Sequence, residues 1–226
     1  MRSVPKPLIE VAGQPFLFHQ LQLLADHGAK RVVVCVGYLG ALIEDRVGDE
    51  RFGLRIDYSY DAAGLDGTLG AIRRAIPLLS EPFLVLYGDT YLRLDYRAAA
   101  AAWQASTLPA MMTVLGNDSR WEPSNAVYAD GRVLAYDKHA RTADMRWIDY
   151  GLGGLTPEAP ALVDPAERDL ASLYRTLAAE RRLFGYEVAE RFYEIGTPSG
   201  LAETDAFLRG AGARTSGSGA GEAPRA

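Results

Sequence analysis

The sequence predicts an α/β protein, a mostly parallel sheet with helices on both faces. Three observations carry this. Short continuous apolar runs at Arg31–Val36 and at 83–87 are rich in β-branched or aromatic residues, as strands covered on both sides are. Other segments place apolar residues at helical spacing. The two patterns alternate along the chain, as a crossover-connected sheet requires.

In chain order, residues 14–27 carry Phe16, Leu17, Leu21, Leu23 and Leu24 in a helical pattern. Arg31–Val36 follows as a buried strand with Cys35 as a small core residue, and 54–59 reads as a weaker strand. Residues 68–79 put Leu69, Ile72, Ile76 and Leu79 on one stripe and turn Arg73 and Arg74 away from it. After the strand at 83–87, Asp95 caps a helix over 95–106 whose alanine run favours helix. The pattern then becomes more mixed. Residues 110–115, 125–128 and 133–137 are strands, the last two joined through the hairpin-turn pair Asp130-Gly131. Asp164-Pro165-Ala166-Glu167 supplies an N-cap, a proline at the first helical position and an acidic residue, predicting a helix to about Arg181. A strand at Leu183–Val188 and a helix from Pro198 complete a folded domain over 1–209. Residues 210–226 hold almost nothing that enters a core and read as a flexible tail.

Composition narrows the function. With 226 residues, 48% of them hydrophobic, the chain can bury the core of one ordinary domain. A net charge of −5 argues against a nucleic-acid binder built on a broad basic surface. A single cysteine excludes an internal disulfide framework and a multi-cysteine zinc site. No apolar run approaches the ~18 residues of a membrane span, and the opening MRSVPKPLIEVAG lacks the apolar centre of a secretory leader. The expectation is a cytoplasmic protein with neither nucleic-acid nor membrane partners.

Three short segments bear chemistry. Lys6 stands between Pro5 and Pro7, which stiffen the backbone and lower the entropy lost when the ammonium grips a phosphate. Asp89, in Gly88-Asp89-Thr90, follows a strand, where open α/β sheets bind ligands and where a carboxylate is placed to hold Mg2+. Glu194, in Glu194-Ile195-Gly196-Thr197-Pro198, offers a second carboxylate before a helix. Read singly, each has a plain alternative: a solvated lysine, a turn aspartate and a helix start. Residues 64–70 are glycine-rich and lead into a helix whose N–H groups could meet a nucleotide. They match neither the dinucleotide fingerprint nor the P-loop, so a dehydrogenase or P-loop enzyme is disfavoured. Asp137-Lys138 is either a phosphate contact or a surface pair. His19, His27 and His139 share no ligand spacing and read as structural or solvated.

Taken in order, these segments resemble the sugar-1-phosphate nucleotidyltransferases, the NDP-sugar pyrophosphorylases. Among them the bacterial heptose- or mannose-1-phosphate guanylyltransferases and N-acetylmuramate-1-phosphate uridylyltransferases are nearest. PKPLIEVAGQPFLFHQL, LDGTLGAIRRA, LYGDTYL, YDK and YEIGTPSGL are similar to five family motifs and cover about residues 4–209. The resemblance implies a Rossmann-like sheet of the nucleotide-diphospho-sugar transferase type and transfer of a nucleotidyl group from an NTP to a sugar 1-phosphate. It implies that Lys6 and Asp89 act in catalysis and that Asp89 and Glu194 hold Mg2+, Glu194 standing where the family usually has aspartate. Gly67, Thr68 and Gly70 would line the nucleotide pocket. Asp137 and Lys138 would face the sugar phosphate, with Asn125 and Gly151 near the sugar ring. Such chemistry needs positioning and charge neutralisation more than a covalent nucleophile. A homo-oligomer is compatible with the sequence, which leaves base and sugar open.

Family members begin with a strand and a glycine-rich loop that cradles the triphosphate, and this chain starts where that loop would end. Four large apolar residues on such a strand would contribute ~6–12 kcal/mol, against ~5–15 kcal/mol for a whole domain. The expectation is therefore a mis-assigned or shortened start, and slow turnover by the chain as given. Two rivals remain. One is a non-catalytic nucleotide-sugar-binding homologue or regulatory subunit, against which the presence of Lys6, Asp89 and Lys138 argues. The other is a glycosyltransferase, which would show an Asp-x-Asp motif that Gly88-Asp89-Thr90-Tyr91 does not supply.

Overall fold

The computed structural model describes residues 4–61, 67–79, 81–120 and 123–216, the last six by backbone alone. Its first half holds helices α1 (Phe16–Asp26), α2 (Gly40–Val47), α3 (Gly67–Ala75) and α4 (Tyr96–Ser106) with strands β1 (Arg31–Val36), β2 (Leu54–Tyr60) and β3 (Phe83–Leu86). The second half adds β4 (Ala110–Gly116), β5 (Ala126–Ala129), β6 (Arg132–Tyr136), β7 (Trp147–Leu155), α5 (Leu170–Ala179), β8 (Leu183–Val188) and α6 (Pro198–Ser216).

The α/β class and the helices on both faces stand, with mixed strand pairing. β1 and β2 pair in parallel, with Glu50–Arg51 antiparallel on β2. The larger sheet has the order β3-β7-β4-β8-β6-β5. β4 and β8 are parallel, whereas β7 runs antiparallel to both β3 and β4. β4 is buried along its whole length except Gly116. Its side chains alternate between two cores, as strand geometry dictates. Ala110, Met112 and Val114 meet α3 and α5 through Leu69, Ile72, Leu173 and Leu177. Met111 and Leu115 meet α4 through Tyr96, Ala99 and Trp103. Helix α1 serves both sheets: Leu17 and Leu21 pack with Val36, Leu54 and Ile56, while Leu23 and Leu24 reach Leu84 and Leu86.

Four details depart from the sequence expectation. Cys35 is exposed rather than buried. Among the described residues β1 pairs only with β2, and an apolar run reports cover on the faces of a strand but not at its edge. The helix expected from Asp164 starts at Leu170, with Asp169 as its N-cap accepting from Ala171 N. Asp164 instead caps a turn through Ala166 N. The cause is Arg73, which points inward, not away. Its guanidinium donates to the carbonyls of Pro160, Val163, Asp164, Pro165 and Glu167, so these oxygens are aimed at a side chain instead of at the next helical turn. α2 was not expected, because only Ile43 and Val47 mark its buried side. Finally, α6 has its last core residue at Leu208 but continues as helical backbone to Ser216, into the stretch assigned to a tail. Residues 217–226 lie outside the described residues.

Candidate active site

The glycine-aspartate turn after β3 is where the site begins. Gln20, buried on α1, donates from Nε2 to the carbonyls of Tyr87 (2.8 Å) and Thr90 (2.7 Å) and so clamps the turn that carries Asp89. Thr90–Tyr91 pairs antiparallel with Tyr193–Glu194, and Ile195 N donates to Asp89 O (3.0 Å). This places the Glu194 backbone beside that of Asp89.

Lys6 arrives from a tight turn held by Leu8 N donating to Pro5 O (2.8 Å), with its ammonium 3.0 Å from Asp89 Oδ2. A methyl-sized point on Gly196 would lie 2.8 Å from Glu194 Oε2, 3.5 Å from Lys6 Nζ and 3.9 Å from Asp89 Oδ2. Two carboxylates and an ammonium thus converge on one spot, over a glycine whose missing side chain leaves room. Glu194 also receives the N–H groups of Gly196 and Thr197 and the Thr197 hydroxyl, which caps the start of α6 and fixes the carboxylate. The pair suits Mg2+, which takes one or two carboxylates together with phosphate and water oxygens. Among the described residues no group of three or more His, Cys, Asp or Glu gathers as a metal site.

A cleft of about 470 Å3 opens beside this cluster, lined by Asp89 and Glu194 and by Asn125, Lys138, Asp149 and Gly151. Its wall is shaped by β7, whose register with β4 shifts between Asp149 and Gly153. Thr113 fills that break, donating to Leu152 O and accepting from Leu152 N. Gly151, at φ +106°, makes a turn that a side chain would strain. The bulge re-aims Asp149 toward the cleft. Its backbone N donates to Asn125 Oδ1 (2.9 Å), and its carboxyl accepts from Gly151 N (3.0 Å) and the Tyr136 hydroxyl (3.2 Å). Burial pushes the Asp149 carboxyl up, opposed by the Gly151 N–H and by the charge of Lys138.

The structure thus gathers Lys6, Asp89 and Glu194 at one spot, and Asn125, Lys138 and Gly151 on the wall beside it. Asp137 is not on that wall. Its carboxylate accepts from His139 N (2.7 Å) and Ala140 N (2.8 Å) and pairs with Arg175 (3.3 Å). Those N–H groups, with Arg175, hold it down at about 2. Gly67, Thr68 and Gly70 do not line the cleft either. The Thr68 hydroxyl donates to Asp169 and accepts from Leu170 N, tying α3 to α5, while residues 64–66 of the same glycine-rich stretch lie outside the described residues. Sequence reasoning missed Gln20, Asp149, His139 and Arg141. For Gln20 the signal was present, an amide on the apolar stripe of a helix. His139 and Arg141 both line the cleft.

Comparison with known proteins gives the family and the fold. The family described as nucleotidyl transferase matches residues 1–125. The chain is 41% identical over 213 residues to N-acetylmuramate alpha-1-phosphate uridylyltransferase of Neisseria meningitidis, covering 91% of this chain and 90% of that protein. It is 38% identical over 204 residues to the mannose-1-phosphate guanylyltransferase catalytic subunit beta of Danio rerio, covering 87% of this chain but 56% of that protein. Among solved structures, HddC from Yersinia pseudotuberculosis has the same fold at 20% identity, with a TM-score of 0.73 over 91% of this chain and 90% of that one.

Proposed function

Because the chain belongs to the nucleotidyl transferase family, we propose that it transfers a nucleotidyl group from an NTP to a sugar 1-phosphate, giving an NDP-sugar and pyrophosphate. A phosphate oxygen of the sugar 1-phosphate attacks the α-phosphorus and forms the new P–O bond. The bond from that phosphorus to the β-phosphate oxygen breaks, and its electron pair leaves with pyrophosphate. The attacking oxygen is already ionised at neutral pH, so no general base is required. The work is positioning and neutralisation of charge.

The observation that carries this reading is the convergence of Asp89, Glu194 and Lys6 beside a cleft that Lys138 also lines. Asp89 and Glu194 would hold Mg2+, which when bound supplies charge neutralisation at the phosphates. Lys6, released from Asp89, would then meet the nucleotide phosphates. Lys138 would hold the phosphate of the acceptor, with Asn125 and the Gly151 turn against the sugar ring. The test is pyrophosphate release from four NTPs against a panel of sugar 1-phosphates, with Mg2+ and with a chelator in its place. Release for at least one pair, lost on chelation, is the expected result. No release from any pair over prolonged incubation would overturn the proposal.

A further inference from the structure

The bulge of β7 leaves a carboxyl with acceptor capacity to spare at the wall of the cleft. Asp149 Oδ1 receives Gly151 N (3.0 Å) and Oδ2 the Tyr136 hydroxyl (3.2 Å). An ionised carboxylate has about four acceptor positions, so each oxygen keeps one unused. Asp149 makes no ion pair with the described residues, unlike Asp89, which holds Lys6, and Asp137, which holds Arg175. Its two donors are themselves fixed. Tyr136 is buried edge to face against Tyr174, their ring centres 6.1 Å apart, and Gly151 is set by its turn at φ +106°.

Asn125 supplies the complement. Its Oδ1 receives Asp149 N (2.9 Å), and a backbone N–H donates to the amide oxygen, not to the NH2, so the sense of the amide is settled. The Nδ2 group is the half left over, and it makes no hydrogen bond with the described residues. Both residues line the same cleft as Lys138. A spare carboxylate acceptor beside a spare amide donor repels a phosphate at one and a cation at the other. A hydroxyl suits both, because it donates one hydrogen and accepts another. Resting on the nucleotidyl-transfer reading, we propose that Asp149 is a specificity-determining residue, accepting a hydrogen bond from one ring hydroxyl of the sugar 1-phosphate while the same hydroxyl accepts from Asn125 Nδ2. A pair built in this way rejects the analogue that lacks the hydroxyl, since its own polar groups are then left unpaired.

Monodeoxy acceptors test this. The full chain is assayed with Mg2+ and with the NTP and sugar 1-phosphate that release pyrophosphate fastest, then with each monodeoxy form of that acceptor. Removal of one hydroxyl should lower kcat/KM about tenfold or more, because a hydrogen bond to a charged group is worth a factor of about 10–100. Asp149→Ala should weaken the parent acceptor and bring its ratio to that one deoxy form toward one, with the ratios at the other positions unchanged. Asp149→Asn keeps the volume and one acceptor oxygen, so its ratio should fall between. A wild type for which no single hydroxyl matters would overturn the inference. So would a ratio unmoved in Asp149→Ala, with parent and deoxy forms weakened alike, which would make the residue a support of the bulge and no more. If Asp149→Ala fails to fold, the ratio in Asp149→Asn decides: a partial collapse upholds the inference and an unmoved ratio overturns it. If no pair releases pyrophosphate, the transfer reading fails on its own. Calorimetric titration with glucose 1-phosphate, mannose 1-phosphate and their monodeoxy forms then decides. A preference for one hydroxyl that Asp149→Ala removes upholds the inference, and its absence, or no binding at all, overturns it.

Discussion

Replacing Arg73 by methionine keeps the apolar stem and removes every donor. Six contacts to five carbonyls disappear together, among them both bonds to Pro160 O (3.2 and 2.9 Å). The carbonyls of Asp164, Pro165 and Glu167 lie on exposed residues and can turn to water. Pro160 is buried, so its oxygen is the one left short. An unsatisfied buried acceptor costs about 1–3 kcal/mol, and the remaining charged bonds add about 1 kcal/mol net after exchange with water, giving about 2–4 kcal/mol. For a chain of this size that is a drop in Tm on the order of 4–16 °C. Because α3 also touches α5 through Thr68 and neither helix start lines the cleft, both KM values should stay near wild type while stability falls. Differential scanning fluorimetry and initial-rate kinetics check both. A Tm shift under about 2 °C, or an Arg73→Lys protein as stable as wild type, would refute the clamp, since three ammonium donors cannot span five carbonyls.

The other expectations concern the cleft. Asp89→Asn should lower kcat by about 10²-fold or more, far beyond His19→Ala, and metal titration should show weakened Mg2+ binding; a fully active Asp89→Asn enzyme would move the metal elsewhere. Lys6→Ala should raise the KM for the NTP and Lys138→Ala the KM for the sugar phosphate, and the opposite split would exchange their roles. Asp137→Asn keeps an acceptor for the loop N–H groups but loses the charge, so its stability deficit should be pH-dependent. The folded carboxyl is held down at about 2, so the stabilisation is complete above the ordinary value of about 3.9 and fades as pH falls through about 2. The gap between wild-type and Asp137→Asn denaturation midpoints should therefore be flat from about pH 8 to 5 and close in stronger acid; a gap that widens on acidification contradicts the assignment.

Much of the fold was legible because it rests on local periodicity. The strands at Arg31–Val36 and Leu183–Val188 have the expected bounds, and β5 with β6 form the hairpin that Asp130-Gly131 signals. What escaped was tertiary in origin. Asp164-Pro165-Ala166-Glu167 is sound helix-start chemistry, but distant partners take its polar groups: Arg73 holds its carbonyls, and Leu69 N takes the oxygen of Arg168. Asp137 was singled out as a carboxylate facing the sugar phosphate; an Asx turn holds it on its own loop, in a smaller cavity it lines with Lys138 and His139. Asp149 carried no signal at all: its place in the cleft depends on a bulge whose register no single strand encodes.

The charges of the cleft bear on how a chain of net charge −5 would receive the polyanions of the proposed reaction. Long-range attraction to phosphate is weak for such a protein, so capture depends on cations fixed at short range. One of them, Lys6, is held by a carboxylate of the site itself. Asp89 pairs with Lys6 at 3.0 Å, and the charge of Lys138 favours the ionised forms of Asp149 and Asp169. Asp137 acts one step back, through backbone rather than side chain, by setting the direction of the loop that bears Lys138 and Arg141. A carboxylate that holds a cation in place also cancels part of its field.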